Sequence, residues 1–318
     1  MKLEVAALAV GVAAFATVFA SWAHADRKLL PRPPIDEKIV LPPTGNSIRT
    51  NPRTGQVEEY ALEGEVTLDP RSGYFRLSWN GLDGRRKTLI WEPPWNVDAL
   101  VAARVEYDHD TRLYRYTYTM QSLPSSREKL ETLIVELSAP AENVQAPDET
   151  WFSSEANARL AELLGVAAGR EWSQARRGLV GLLAGQEATG FSYKSLGLPG
   201  IVKCFVRAHT RGHSAGEEAP DVLVDAIHKY NWMVPQGYTI GPDERLAKMS
   251  LKERLKYLVE RLPQMLELGW IESQKVMQWY EANLKAGKVA EVRARAEADF
   301  KKNLITSEVL ALMTYLTR

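Results

Sequence analysis

The sequence predicts an α+β protein, in which an antiparallel β-sandwich is followed by a small three- or four-helix bundle and preceded by an N-terminal signal or anchor helix. Three observations support this prediction: an uncharged run near the start, alternating segments between turn residues, and apolar residues at helical spacing from Ile240. The predicted units are a signal peptide or single transmembrane anchor (residues 1–25), a proline-rich linker or arm (26–55), a β-sandwich domain (56–225) and a helical bundle domain (226–318).

The N-terminal segment predicts passage across or into a membrane. No charged residue occurs from Val5 to Ala20, and Ala23-His24-Ala25 matches a signal-peptide cleavage pattern. Counted to Ala23, the apolar run also approaches the roughly 20 residues that span a bilayer, which would place Trp22 at the outer interface. A cleaved signal and a retained inner-membrane anchor formed by residues 5–23 both stay open. Either one predicts a periplasmic or other extracytoplasmic location.

A proline-rich segment follows at residues 29–43. Its five prolines restrict φ and remove backbone donors, so the segment should be extended and semi-rigid. One interpretation is a spacer between membrane and domain, and the other is an arm that contacts a partner through residues such as Pro33 and Pro34. The spacer is the favoured interpretation.

The middle of the chain predicts closely spaced strands. Three turn motifs, Asn51–Gly55, Asp69–Gly73 and Asp108–Arg112, separate segments that alternate or are dense in aromatic and β-branched residues. The strand candidates are residues 65–68, 74–79, 113–119, 129–137, 190–194 and 201–207, with a helix at about 154–164. Short strands with turn signals favour a sandwich or barrel.

The C-terminal region predicts packed helices. An apolar stripe runs from Leu251 to Leu266, with a capping box made by Ser250 and Glu253 before it and Gly269 placed to end the helix. Further helices are predicted at residues 276–284, 289–300 and 307–316. Short amphipathic helices are stable only when packed together, so a bundle is expected.

Several segments together resemble a family of uncharacterised bacterial secreted proteins. They are the Y-x-Y-T strand at residues 116–119, the segment GFSYKSLGLPG at 190–200 and, in the helical part, TIGP at 239–242 and LGWI at 268–271. The resemblance covers roughly residues 100–318. It implies a β-sandwich with a helical module and a secreted or surface location, and it implies no chemistry.

Composition excludes some classes of function. Lysine plus arginine and aspartate plus glutamate are both 40, so the chain lacks the basic surplus that nucleic-acid binding needs. The nucleophile elbow, Walker A, metalloprotease and dinucleotide-binding motifs are absent. We therefore predict a non-catalytic protein without a cofactor and without a nucleic-acid partner.

Two weak candidate metal sites come from the sequence. Cys204, His209 and His213 are the residue types that bind zinc, but the spacing fits no compact zinc pattern, and Cys204 alternatively is a buried strand residue. Asp108 and Asp110, with Asp98 nearby, supply carboxylates for calcium, although a polar hairpin turn explains the first two. At both places the structural interpretation is favoured, a buried strand residue for Cys204 and a polar turn for Asp108 and Asp110, and no metal is predicted.

An aromatic cluster is the other candidate site. Trp91, Pro93, Pro94 and Trp95, with Trp79, could stack on a sugar if exposed, but burial or a protein interface is favoured. The function that we predict is that of an extracytoplasmic interaction or structural protein, as an accessory subunit anchored to a larger membrane or envelope complex with protein partners. The alternatives are a free periplasmic or secreted module that binds a ligand or carbohydrate, and an uncharacterised hydrolase.

Overall fold

The computed structural model describes residues 28–32, 44–50, 54–69, 71–80, 85–156, 158–174, 181–210 and 233–318. The predicted signal or anchor helix lies outside these residues, as does most of the proline-rich linker. No helix in the described part of the chain is long and apolar enough to cross a membrane. The fold is α+β, with antiparallel strand pairs in every sheet and six helices within the described ranges.

The strands form three sheets. The first has the order β1-β2-β3-β4, the second β5-β6-β11-β8, and the third β13-β12-β7-β10-β9. The bounds are β1 Thr44–Thr50, β2 Val57–Leu68, β3 Phe75–Asn80, β4 Arg86–Trp91, β5 Ala99–Asp108, β6 Leu113–Ser122, β7 Leu130–Glu136, β8 Glu142–Gln145, β9 Phe152–Glu155, β10 Gly169–Ser173, β11 Glu187–Ser195, β12 Leu198–Ala208 and β13 Gln236–Asp243.

The second and third sheets share one core, an arrangement compatible with the predicted sandwich. Alternate residues of β6 and β11 are buried against β10, and the Trp172 ring stacks on Tyr193 at 6.0 Å between centroids with 7° between planes. Tyr118 crosses this core, because its hydroxyl lies 2.6 Å from that of Tyr193 and donates to the Ile240 carbonyl on β13. Partnered hydroxyl groups make such buried tyrosines tolerable.

The helices are α1 Ala158–Leu164, α2 Glu244–Lys248, α3 Leu251–Glu267, α4 Gln274–Lys285, α5 Val289–Lys301 and α6 Ser307–Leu316. The predicted capping box of Ser250 and Glu253 is present at the start of α3, and Gly269 follows that helix with φ of +68°. Pro263 lies inside α3, which nevertheless continues to Glu267. The buried faces of α3 to α6 belong to the same core as the two sheets, so the helices pack on the β-structure.

Two predicted element starts are wrong. The helix expected from about residue 154 begins at Ala158, because residues 152–155 pair with β10 as strand β9. The helical pattern expected from Ile240 begins only at Glu244, because residues 236–243 extend the third sheet beside β12. In both cases long-range strand pairing overrides the local pattern. The predicted domain boundary at 225/226 lies among residues outside the described ranges.

Candidate interaction cleft

The five residues from Lys28 to Arg32 lie against the body of the protein. Their backbone touches three elements: Leu30 N–H donates to Ala99 O of β5 at 3.2 Å, and Gln236 N–H of β13 donates to Pro31 O at 3.2 Å. Lys28 N–H reaches Leu268 O after α3 at 3.4 Å. We call residues 28–32 the docked segment. It bridges the edges of two sheets, where unpaired backbone groups otherwise invite other chains.

Side chains reinforce this docking. Leu30 is 6% exposed and lies over Gly237, where an added Cβ would come within 2.9 Å of the Leu30 Cγ atom. The absence of a side chain at Gly237 therefore makes room for the leucine. Arg32 donates to Asp98 Oδ1 from Nε at 3.1 Å and from Nη2 at 2.8 Å. This part of the predicted linker is thus held by the body and is not a free spacer.

An open cleft of about 830 Å³ runs beside the docked segment. Its floor is apolar and includes the buried Val101 and Trp270, whereas Leu29 and Tyr238 are 42% and 38% exposed at its rim. The charged residues of the lining are Lys28, Arg32, Arg261 and Glu267. Exposed apolar groups beside cations are typical of an interaction surface.

Arg261 is held in place at the cleft. Its guanidinium carbon lies 5.4 Å from the centre of the Tyr257 ring, and Nη1 donates to Gln264 Oε1 at 3.1 Å. Tyr257 is itself fixed, because its hydroxyl accepts a hydrogen bond from Ile201 N–H of β12 at 3.0 Å. A cation stacked on an anchored aromatic ring keeps its charge directed outward.

The other half of the β5 edge is covered by helix α6. Glu308, which is fully buried, accepts from Ala103 N–H at 2.8 Å, and Ser307 donates to Ala103 O at 2.8 Å. Farther along, Tyr315 accepts from Tyr107 N–H at 3.1 Å and donates to Val105 O at 3.3 Å. Helix side chains thus replace the missing neighbouring strand.

The predicted aromatic cluster is buried. Trp91 and Trp95 are 3% and 1% exposed and make an edge-to-face contact at 5.5 Å in the small core of the first sheet, which also contains Trp79. Pro93 and Pro94 between them are buried as well. These indoles therefore present no open face to a sugar. The remaining partner-contact candidates, Trp22, Pro33 and Pro34, lie outside the described residues.

The zinc candidates are not brought together as far as the structure describes them. Cys204 is fully buried in the shared core, in agreement with the prediction of a buried strand residue. His209 Nδ1 lies 3.4 Å from Glu131 Oε2. His213 lies outside the described ranges. Nowhere in those ranges do three or more metal-binding side chains of His, Cys, Asp or Glu form a group.

The calcium candidates are far apart. Asp98 and Asp108 flank the two ends of β5, so about 33 Å of strand separates them. Asp98 is paired with Arg32, and Lys194 donates to Asp108 at 2.6 Å, which holds the pKa of Asp108 well below its usual range. The turn explains the rest, because Asp108 also accepts from the backbone of Asp110 and Thr111.

A polar cluster lies at one end of β7 in the third sheet. Burial raises the pKa of Glu171, while nearby Arg207 offsets part of this effect and Glu131 adds to it. Arg207 also contacts the buried Thr132 at 3.5 Å, and His209 pairs with Glu131. Chemically, this arrangement holds a proton on a carboxyl group to a higher pH than usual, which is the property of a general acid.

Sequence reasoning missed the docked segment and its cleft. The cations of the lining are scattered between Lys28 and Arg261, and no local pattern connects them. The one available signal was the density of charges directly after the apolar N-terminal run, at Arg27, Lys28 and Arg32. Comparisons with protein-family models, with curated proteins and with solved structures found no match.

Proposed function

We propose that the protein is a non-catalytic extracytoplasmic interaction protein, an accessory subunit that residues 5–23 anchor to a larger membrane or envelope complex. The observation that supports this proposal is the docked segment, which begins five residues after the apolar run ends at Ala23. A chain held to the body at Lys28 connects the body to the membrane through a short tether, as a fixed subunit requires.

The large apolar rings of the first sheet support an interaction role over sugar binding. Their burial removes the stacking surface on which the carbohydrate alternative depended. Instead, the cleft exposes Leu29, Tyr238 and the cations Lys28 and Arg261, and Lys28 follows the predicted anchor by five residues in the sequence.

Native mass and co-purifying chains after gentle detergent extraction of the source membranes test the proposal. We expect the full-length chain, with its Met1 peptide, to migrate in an assembly well above its own 35.7 kDa together with fixed partners. A protein that is found alone in the soluble envelope fraction and begins at Asp26 would overturn the anchored form of the proposal.

The polar cluster favours one second candidate, a hydrolase. Burial raises the pKa of Glu171, nearby Glu131 adds to this effect, and His209 lies beside Glu131. A panel of ester, peptide and glycoside substrates would test it with the variants Glu171→Gln and Glu131→Gln. Hydrolysis that both variants abolish would support the candidate, whereas no hydrolysis, or hydrolysis unchanged in both variants, would exclude this site.

A further inference from the structure

We infer that the cleft beside the docked segment is a contact site for the headgroups of anionic phospholipids. This inference rests on the proposed anchor and deepens it, because it names the surface that the body turns toward the bilayer. It is built from three observations: the length of the tether, the exposed apolar residues and the charges of the cleft.

The tether is short. Only residues 24–27 separate the apolar run from Lys28, and the five residue steps from Ala23 to Lys28 span at most about 18 Å. Lys28 is bonded to Leu268 and lines the cleft. With residues 5–23 in the bilayer, the cleft therefore lies within reach of the headgroup layer.

The rim has the chemistry of a membrane interface. Leu29 and Tyr238 are the exposed large apolar side chains there, at 42% and 38% exposure. A tyrosine with one apolar side and one polar end suits the headgroup layer, where such rings are enriched. Leu29 is the next residue after Lys28 in the sequence, close to the end of the tether.

The charges favour anionic lipids. Lys28 and Arg261 are exposed, Arg32 is already paired with Asp98, and Glu267 is the acidic residue of the lining. Each cation close to an anionic surface adds to the attraction, so a few suffice to orient a body that is already tethered.

The experiment uses the full chain in lipid nanodiscs with a fluorophore on an introduced cysteine. Cys204 is fully buried, so a thiol probe reports the new site. Tyr238→Cys places the probe at the rim, and Asp110→Cys places it at the β5–β6 turn, beyond Asp108, which lies about 23 Å along β5 from Val101 of the cleft. The lipid carries a spin-labelled headgroup as a quencher, with or without about 30% phosphatidylglycerol in phosphatidylcholine.

We expect stronger quenching at residue 238 than at 110, and about twofold more at 238 with phosphatidylglycerol than without. Lys28→Glu and Arg261→Glu should remove that lipid dependence, whereas the matched reversal Arg112→Glu at the distant turn should not. Equal quenching at both sites, or no dependence on the anionic lipid, would overturn the inference.

Flotation of the same samples separates this inference from the proposed function. If the protein floats with the lipid and resists alkaline carbonate but shows no preferential quenching at residue 238, the anchor is supported and the headgroup site is overturned. If the protein does not float, both the proposed anchor and the inferred headgroup site are overturned.

Discussion

Two segments shield the edge of strand β5, the docked segment of residues 28–32 and helix α6, and we call them its two covers. They differ in the contacts that they make. At one end the docked segment contributes a single backbone hydrogen bond to Ala99, a buried leucine and a partly exposed ion pair. At the other end helix α6 inserts Glu308 and Tyr315, whose polar groups satisfy the β5 backbone inside the core. We therefore expect the docked segment to detach without unfolding the rest of the protein, and loss of the α6 contacts to destabilise the whole fold.

The largest effect is expected at Glu308. Glu308→Ala leaves the buried Ala103 N–H without its acceptor, and such a group costs about 1–3 kcal/mol, so the free energy of unfolding should fall by that amount. Urea unfolding followed by tryptophan fluorescence measures it. Glu308→Gln keeps an acceptor oxygen and should lose less. Equal losses in both variants would mean that the hydrogen bond is not what stabilises this end of β5.

The docked segment is expected to detach locally. Gly237→Ala places a methyl group against Leu30, and Leu30→Ala removes the buried side chain, so either change should weaken docking by about 1.4 kcal/mol or more. Hydrogen exchange at the amides of Leu30 and Gln236 should then accelerate at least about tenfold, with little change at Ala103. Acceleration at Ala103 as well would show that the two covers are one cooperative unit.

Alkaline pH should weaken the contacts that Tyr315 of α6 makes with β5. Burial raises the pKa of Tyr315, so its contribution is fully present below the ordinary pKa near 10 and is lost as pH rises through the higher folded value. Tyr315→Phe should cost about 1 kcal/mol at neutral pH, and its difference from the unmodified protein should shrink above pH 10. Paired unfolding curves across that range measure the difference. A constant difference would contradict the assignment.

The smallest effect is expected at Arg32. Its side chain is 34% exposed, so Arg32→Ala should cost only about 0.5 kcal/mol, and the cost should decrease at high salt. Exchange of the Leu30 amide in low and high salt measures this contribution. A loss as large as that of Leu30→Ala would show that the ion pair holds the segment as strongly as the leucine does.

Local sequence signals predicted the ends of the helices better than they predicted which segments shield the edge of β5. Ser250, Glu253 and Gly269 mark the ends of α3 because caps and a left-handed glycine act within one turn. The docked segment instead depends on a missing side chain at Gly237 and on a carbonyl at Ala99, which are far from Leu30 in sequence. Prolines at 31, 33 and 34 predict extension, but only the tertiary fold determines where an extended segment binds.

The α6 cover also has a consequence for the order in which the protein matures. Glu308 and Tyr315 reach back 205 and 208 residues to Ala103 and Tyr107, so this part of β5 is incomplete until the final helix has been synthesised. If the chain is threaded across a membrane from its N-terminus, the 205 residues from Ala103 to Glu308 must emerge first. During that interval an open strand edge is exposed to other chains, and a holding chaperone on the receiving side would protect it.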